Sequence, residues 1–122
     1  MGIVPAVVCV GLTCFQSIIH VYDGDTFTIG RDRFRVAGID ALEIRGDCRN
    51  EKILAKEAKV TLEGLLRNTR VDITPEGTDR YGRVLAVVHA NGTDVSEVLI
   101  EQGLSRRWTK KWNRQPEPWC LK

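Results

Sequence analysis

Asp25, Asp40 and Glu43 stand close together in a stretch, DGDTFTIGRDRFRVAGIDALE (residues 23–43), that otherwise reads as strands. Asp25 opens the run TFTI, Asp40 ends the run FRVAGI, and Glu43 follows in a loop. Acids set into apolar runs are hard to explain as solubilising charge. Oxygen donors of this kind suit Ca²⁺ or Mg²⁺ better than zinc, which favours His and Cys. Arg35 is a charge inside an otherwise apolar strand pattern. A guanidinium facing such a cluster suits an anion held against the metal, most simply a phosphate. The competing roles are structural: Asp23 and Asp25 as turn-formers around Gly24, and Arg35 as an arginine paired with an acid.

The elements that must position these residues are short strands joined by tight turns. Residues 17–22, 26–29 and 33–39 each carry strand patterning, with turns at Asp23-Gly24-Asp25 and Gly30-Arg31-Asp32, which makes an antiparallel meander. In the third strand Phe34 and Val36 share one face, Arg35 and Ala37 the other. Strict alternation would turn Asp40 away from Arg35, so a shared site needs a bulge, for which Gly38 is the natural place. The pattern predicts a helix over 50–67, capped by Asn50 or Asp47, with Leu54, Ala55, Ala58, Leu62, Leu65 and Leu66 inward. Lys52, Lys56, Lys59 and Glu63 would face out. Residues 70–74 and 84–90 read as two more strands around a polar loop, GTDRYGR. A second helix starts at Asp94, with Glu97 completing a capping-box-like pair, and stops at Gly103. The expected class is α+β, mainly β: a five-stranded OB-type barrel with a helix inserted after strand 3 and a second helix after strand 5.

The chain has 122 residues, enough for one core, so residues 16–122 are expected to form a single domain. Its net charge of +2 does not announce a nucleic-acid binder. The distribution says more. Arg106, Arg107, Lys110, Lys111 and Arg114 cluster near the end, interleaved with Trp108 and Trp112, and Trp119 follows. Rings among cations suit stacking of single-stranded or frayed nucleic acid, though a tail wrapped on the barrel would use the same tryptophans as anchors. Residues 1–15 are apolar over the length of a signal h-region but lack an early Lys or Arg, leaving an export signal or an ordinary N-terminal strand. The segment is too short to span a bilayer, and neither stable membrane association nor oligomerisation is expected. The four cysteines form no close CxxC pair, which argues against zinc and, if the chain is exported, for disulfides.

DGDT (Asp23 to Thr26), FRVAGID with a Glu three residues later, DRYGR (Asp79 to Arg83) and EQGLSR occur in an order that resembles staphylococcal-nuclease-like thermonucleases. The likeness runs from about Ile18 to Arg106. It implies an OB barrel that hydrolyses DNA and RNA with little sequence preference, leaving 3′-phosphates. It further implies Ca²⁺ held by Asp25, Asp40 and the backbone carbonyl of Ala41, with Glu43 as general base or water-positioning group and Arg35 and Arg83 clamping the phosphate. Tyr81, Arg106, Arg107 and Trp108 would contact substrate. Where the family has Thr-Pro, this chain has Ala41-Leu42, which keeps the carbonyl but loses a hydroxyl and a fixed φ. The alternative is a nuclease-like module that binds nucleic acid or protein without cleaving it. Such a module would be expected to lack the metal or arginine residues. Some exported relatives carry a Cys in the corresponding loop and a terminal Trp-Cys, which implies a Cys48–Cys120 bridge holding down an extended tail. Cys9 and Cys14 would then pair with each other or leave with a signal. A secreted or periplasmic location goes with that reading, a cytoplasmic one with four reduced thiols.

Overall fold

The computed structural model describes residues 2–41 and 48–107. Nine strands and two helices follow one another: β1 (Ile3–Val10), β2 (Thr13–Val21), β3 (Thr26–Ile29), β4 (Asp32–Val36), β5 (Ile39–Ala41), α1 (Arg49–Leu66), β6 (Arg70–Thr78), β7 (Val84–Ala90), β8 (Thr93–Asp94), α2 (Val95–Glu101) and β9 (Ser105–Arg107). The five expected barrel strands are β2, β3, β4, β6 and β7. Their meander, the helix after the third of them and the parallel β4–β7 closure give the OB-type barrel. Among the described residues no helix is long and apolar enough to cross a membrane.

A sixth strand completes the barrel. β1 pairs antiparallel with β2 and parallel with β6, so it lies between two strands of the five-stranded pattern. Of the two readings open for residues 1–15, a signal or an N-terminal strand, the fold has the strand: Val4, Ala6, Val8 and Cys9 are buried in the core. The period-2 signal was obscured because the outward residues Ile3, Pro5 and Val7 are apolar too. Gly11, at a positive φ of 62°, turns the chain in a two-residue loop. Beside that loop Cys9 faces Cys14 in register and forms a disulfide with it.

The expected third strand is divided. β4 ends at Val36, Gly38 takes a positive φ of 82°, and β5 leaves to pair with β9 in a separate two-stranded sheet. Phe34 and Val36 point into the core while Arg35 is half-buried on the opposite face, as alternation requires. Phe27 stacks on Phe34 across the β3–β4 pair, ring centroids 5.4 Å apart. Full burial of a ring such as Phe27 stabilises by about 2–3 kcal/mol.

The helices cover one end of this core. α1 buries Ala55, Ala58, Leu62 and Leu66, with Leu54 and Leu65 partly buried. Its cap differs from expectation, because Cys48 rather than Asn50 or Asp47 is the N-cap, its sulfur accepting from the Glu51 N–H. Glu63, expected to face out, is 7% exposed. In α2 the Asp94 carboxylate accepts from the backbone N–H and the hydroxyl of Ser96 at 2.9 and 2.6 Å. Gly103 reverses the chain at a φ of 74°, and the Leu104 N–H closes on the Leu99 carbonyl at 2.8 Å.

Candidate active site

Two loops meet at one end of the barrel. The first is Asp23-Gly24-Asp25 between β2 and β3. The Asp23 carboxylate accepts from the Asp25 N–H at 3.0 Å, and the Asp23 N–H reaches the Thr26 carbonyl at 3.3 Å. Gly24 is held against α1 so closely that a Cβ on it would stand 2.8 Å from the Ala58 Cβ. No other residue fits there without moving the helix, so α1 sets where the turn can lie.

Asp25 is 7% exposed. One carboxylate oxygen accepts from the Thr26 hydroxyl at 2.9 Å, and the other lies 3.3 Å from Arg35 Nε. The β3–β4 register, Thr26 opposite Arg35, brings the ion pair together. Arg35 Nη2 also donates to the Ile39 carbonyl at 3.1 Å, on the far side of the Gly38 break. Burial pushes the Asp25 carboxyl up to about 7, and the neighbouring Asp23 adds to this. Arg35 and the Thr26 hydroxyl pull the other way without cancelling it. A buried carboxylate left short of positive charge fits a hard cation bound through oxygen.

The second loop, 79–83, is a three-residue hairpin tip. The Asp79 N–H donates to the Arg83 carbonyl at 2.8 Å, and Gly82, at a φ of 82°, donates to the Asp79 carbonyl at 3.1 Å. The Asp79 carboxylate accepts from the N–H groups of Tyr81 and Arg83, both at 2.9 Å, and from Arg83 Nε at 2.7 Å. Desolvation works against ionisation of Asp79, but the Arg83 and Tyr81 hydrogen bonds outweigh it and hold the carboxyl below its usual range. Arg83 Nη1 then reaches the Thr26 hydroxyl at 3.4 Å. Thr26 thus links the two loops, giving a continuous path Arg35–Asp25–Thr26–Arg83–Asp79. The Tyr81 ring lies under both Arg80 and Arg83, whose guanidinium carbons are 5.0 and 5.5 Å from its centroid. Arg35, Arg80, Tyr81 and Arg83 line an open cleft of about 560 Å³ with Glu76 and Asp79.

Of the residues singled out in the sequence, Asp25, Arg35, Tyr81 and Arg83 come together here. Asp40 and Ala41 are on β5 by their backbone, opposite Arg106 and Ser105. The side chains of both lie outside the described atoms, as do all of Glu43, Trp108 and Cys120. Ile39, whose carbonyl Arg35 binds, directly precedes Asp40, so the Gly38 break brings β5 to the arginine. Arg106 is half-buried in β9, and Arg107 forms a two-pronged pair with Glu97, both contacts 3.2 Å. Sequence reasoning missed Thr26 and Asp79 as parts of the site. Both stand inside the motifs that were recognised, DGDT and DRYGR.

A family model described as "Staphylococcal nuclease homologue" matches residues 33–119. The chain belongs to this family. A staphylococcal nuclease homologue with this arrangement has relatives among named nucleases. It is 32% identical over 95 residues to a thermonuclease of Staphylococcus hyicus, covering 73% of this chain and 56% of that protein. It is 26% identical over 112 residues to a micrococcal nuclease of Shigella flexneri, covering 81% and 60%. It is also 29% identical over 104 residues to an uncharacterized endonuclease of Haemophilus influenzae, covering 81% and 54%. The chain spans little more than half the length of these relatives.

Proposed function

We propose that this staphylococcal nuclease homologue is a Ca²⁺-dependent endonuclease that hydrolyses DNA and RNA with little sequence preference and leaves 3′-phosphates. The observation that carries the reading is a buried carboxylate, Asp25, paired with Arg35 and linked through Thr26 to Arg83, with both arginines lining one cleft. Asp25, Asp40 and the Ala41 carbonyl would hold the cation; when bound, it supplies positive charge to a phosphate oxygen. Arg35 and Arg83 offer planar forks to the remaining phosphate oxygens, and their charge opposes the negative charge that builds on phosphorus. Glu43 takes a proton from the attacking water as its oxygen bonds to phosphorus. The P–O5′ bond breaks, the departing O5′ takes a proton from solvent water, and the phosphate stays on the 3′ side. Tyr81, Arg106, Arg107 and Trp108 would bind the rest of a single-stranded or frayed substrate. Nothing in this scheme requires a second copy of the chain.

The deciding experiment incubates purified protein with single-stranded DNA and RNA, with Ca²⁺ and then with chelator. Cleavage that needs Ca²⁺ and yields 3′-phosphate ends is expected. Binding without cleavage would favour the non-catalytic module instead.

A secreted or periplasmic location is proposed on the Cys9–Cys14 disulfide, since such bridges persist in oxidising compartments. Cys48 carries no free thiol either. Its proposed partner, Cys120, would close a loop of about 70 residues, stabilising by about 4 kcal/mol on chain-entropy grounds. Peptide mapping of exported protein without reductant should give a joined Cys48–Cys120 peptide; two separate peptides would refute the bridge.

A further inference from the structure

We propose that Arg33 is a positioning residue for cleavage: from β4 it holds the Tyr81 carbonyl and so orients the loop that presents Arg83 and the Tyr81 ring to substrate. The inference rests on the nuclease reading. Arg33 and Arg35 are two apart on one strand, so alternation sends both side chains to the same face of β4. Arg35 turns into the site toward Asp25. Arg33 instead donates through Nη2 to the carbonyl of Tyr81, across the seam where β4 and β7 close the barrel.

That contact holds the opposite edge of a peptide whose Gly82 N–H the loop already ties to the Asp79 carbonyl. The Asp79 carboxylate holds the N–H groups of Tyr81 and Arg83 and the Arg83 side chain, all from the base of the hairpin tip. In a trans peptide the Tyr81 carbonyl points away from the Gly82 N–H, so the Asp79 bond leaves that edge to Arg33. Gly82 passes close to the guanidinium: a Cβ there would stand 3.3 Å from Arg33 Nη2. Arg33 therefore ties the tip to the strand that carries Arg35. Both phosphate-facing arginines are then referred to one rigid element, β4. Small displacements of a catalytic group are costly, because the reacting geometry tolerates about an ångström at most. Arg33 is exposed and the bond is to backbone, so sequence pattern alone offered no sign of it.

The test compares Arg33→Met, which keeps the stem without a donor, with Arg33→Lys, which keeps charge and one donor. Steady-state cleavage of a single-stranded DNA oligonucleotide in Ca²⁺ is measured at several salt concentrations, beside amide exchange of the Tyr81 and Arg83 N–H groups. Arg33→Met should lower kcat by about tenfold or more. KM and its salt slope should stay near wild type, and both amides should exchange faster. Arg33→Lys should recover most of kcat. Unchanged kcat in Arg33→Met overturns the proposal. So does a rise in KM with a salt slope reduced by about one and kcat intact, which would mark Arg33 as a direct phosphate contact. Unchanged exchange with an active wild type overturns the tether alone. A wild type that cleaves nothing sinks the nuclease reading and the catalytic role of Arg33 with it, while the exchange arm still shows whether the loop is tied.

Discussion

Two aspartate–arginine pairs, joined through Thr26, differ in what the aspartate is left to do. Asp25 and Arg35 are joined at 3.3 Å in a buried setting, yet burial leaves the carboxyl raised to about 7. Asp79 and Arg83 are joined at 2.7 Å on a loop, and the hydrogen bonds converging on Asp79 lower its carboxyl instead. Asp79 has its charge fully spoken for by the residues it organises. Asp25 has one hydroxyl and one guanidinium and is still short of positive charge. The same residue types thus yield a hydrogen-bonded clamp in one place and a buried, poorly compensated carboxylate in the other. Hydrogen bonds received, set against water lost, decide which.

Exchanging each aspartate for its amide should separate the two pairs most sharply. Asp25→Asn should abolish the rise in melting temperature that Ca²⁺ gives the wild type, and cleavage should fall by about three orders of magnitude or more. Asp79→Asn should keep the Ca²⁺-dependent rise and lose only about tenfold in kcat, because Arg83 would be present but poorly aimed. A Ca²⁺-dependent rise retained by Asp25→Asn would erase the distinction.

A smaller effect is expected from the arginine side. Arg35→Lys keeps the charge but cannot serve Asp25, the Ile39 carbonyl and a phosphate together as the planar fork can. Turnover should drop by about a hundredfold with the melting temperature little changed. Wild-type turnover in that variant would show that point charge alone is needed there.

The smallest effect is in pH. The carboxyl of Asp79 is lowered in the fold, so its contribution to loop stability is present above the ordinary carboxylate range. It is lost as pH falls through the folded value. Exchange at the Tyr81 and Arg83 amides, corrected for intrinsic rates, should therefore speed up only at acid pH. Asp79→Asn should exchange fast throughout, with no acid step. An acid step that survives in Asp79→Asn would assign the titration to another group.

Much of the site could be read from residue order because its parts are local. Asp25 belongs to a tight turn, Arg35 breaks an alternating strand, and Arg83 ends a glycine-bearing hairpin tip; turn chemistry and period-2 patterning are properties of a few consecutive residues. The same holds for α2, whose Asp94 cap and Gly103 stop are both local. What required the tertiary structure involves partners far apart in sequence. β1 became a barrel strand because β6, some sixty residues on, offered an edge beside it. Glu63 was drawn inside and Gly24 was pressed onto Ala58 by the way α1 packs on the barrel. Thr26 gained its role by standing between Asp25 and Arg83, and Arg33 gained its own by closure of β4 on β7, which carried the Tyr81 carbonyl to it. Sequence by itself marked which residues are candidates for the chemistry. Closure of the barrel decided which of them meet, because a sheet brings distant strands within hydrogen-bonding reach without leaving any periodicity in the chain to announce it.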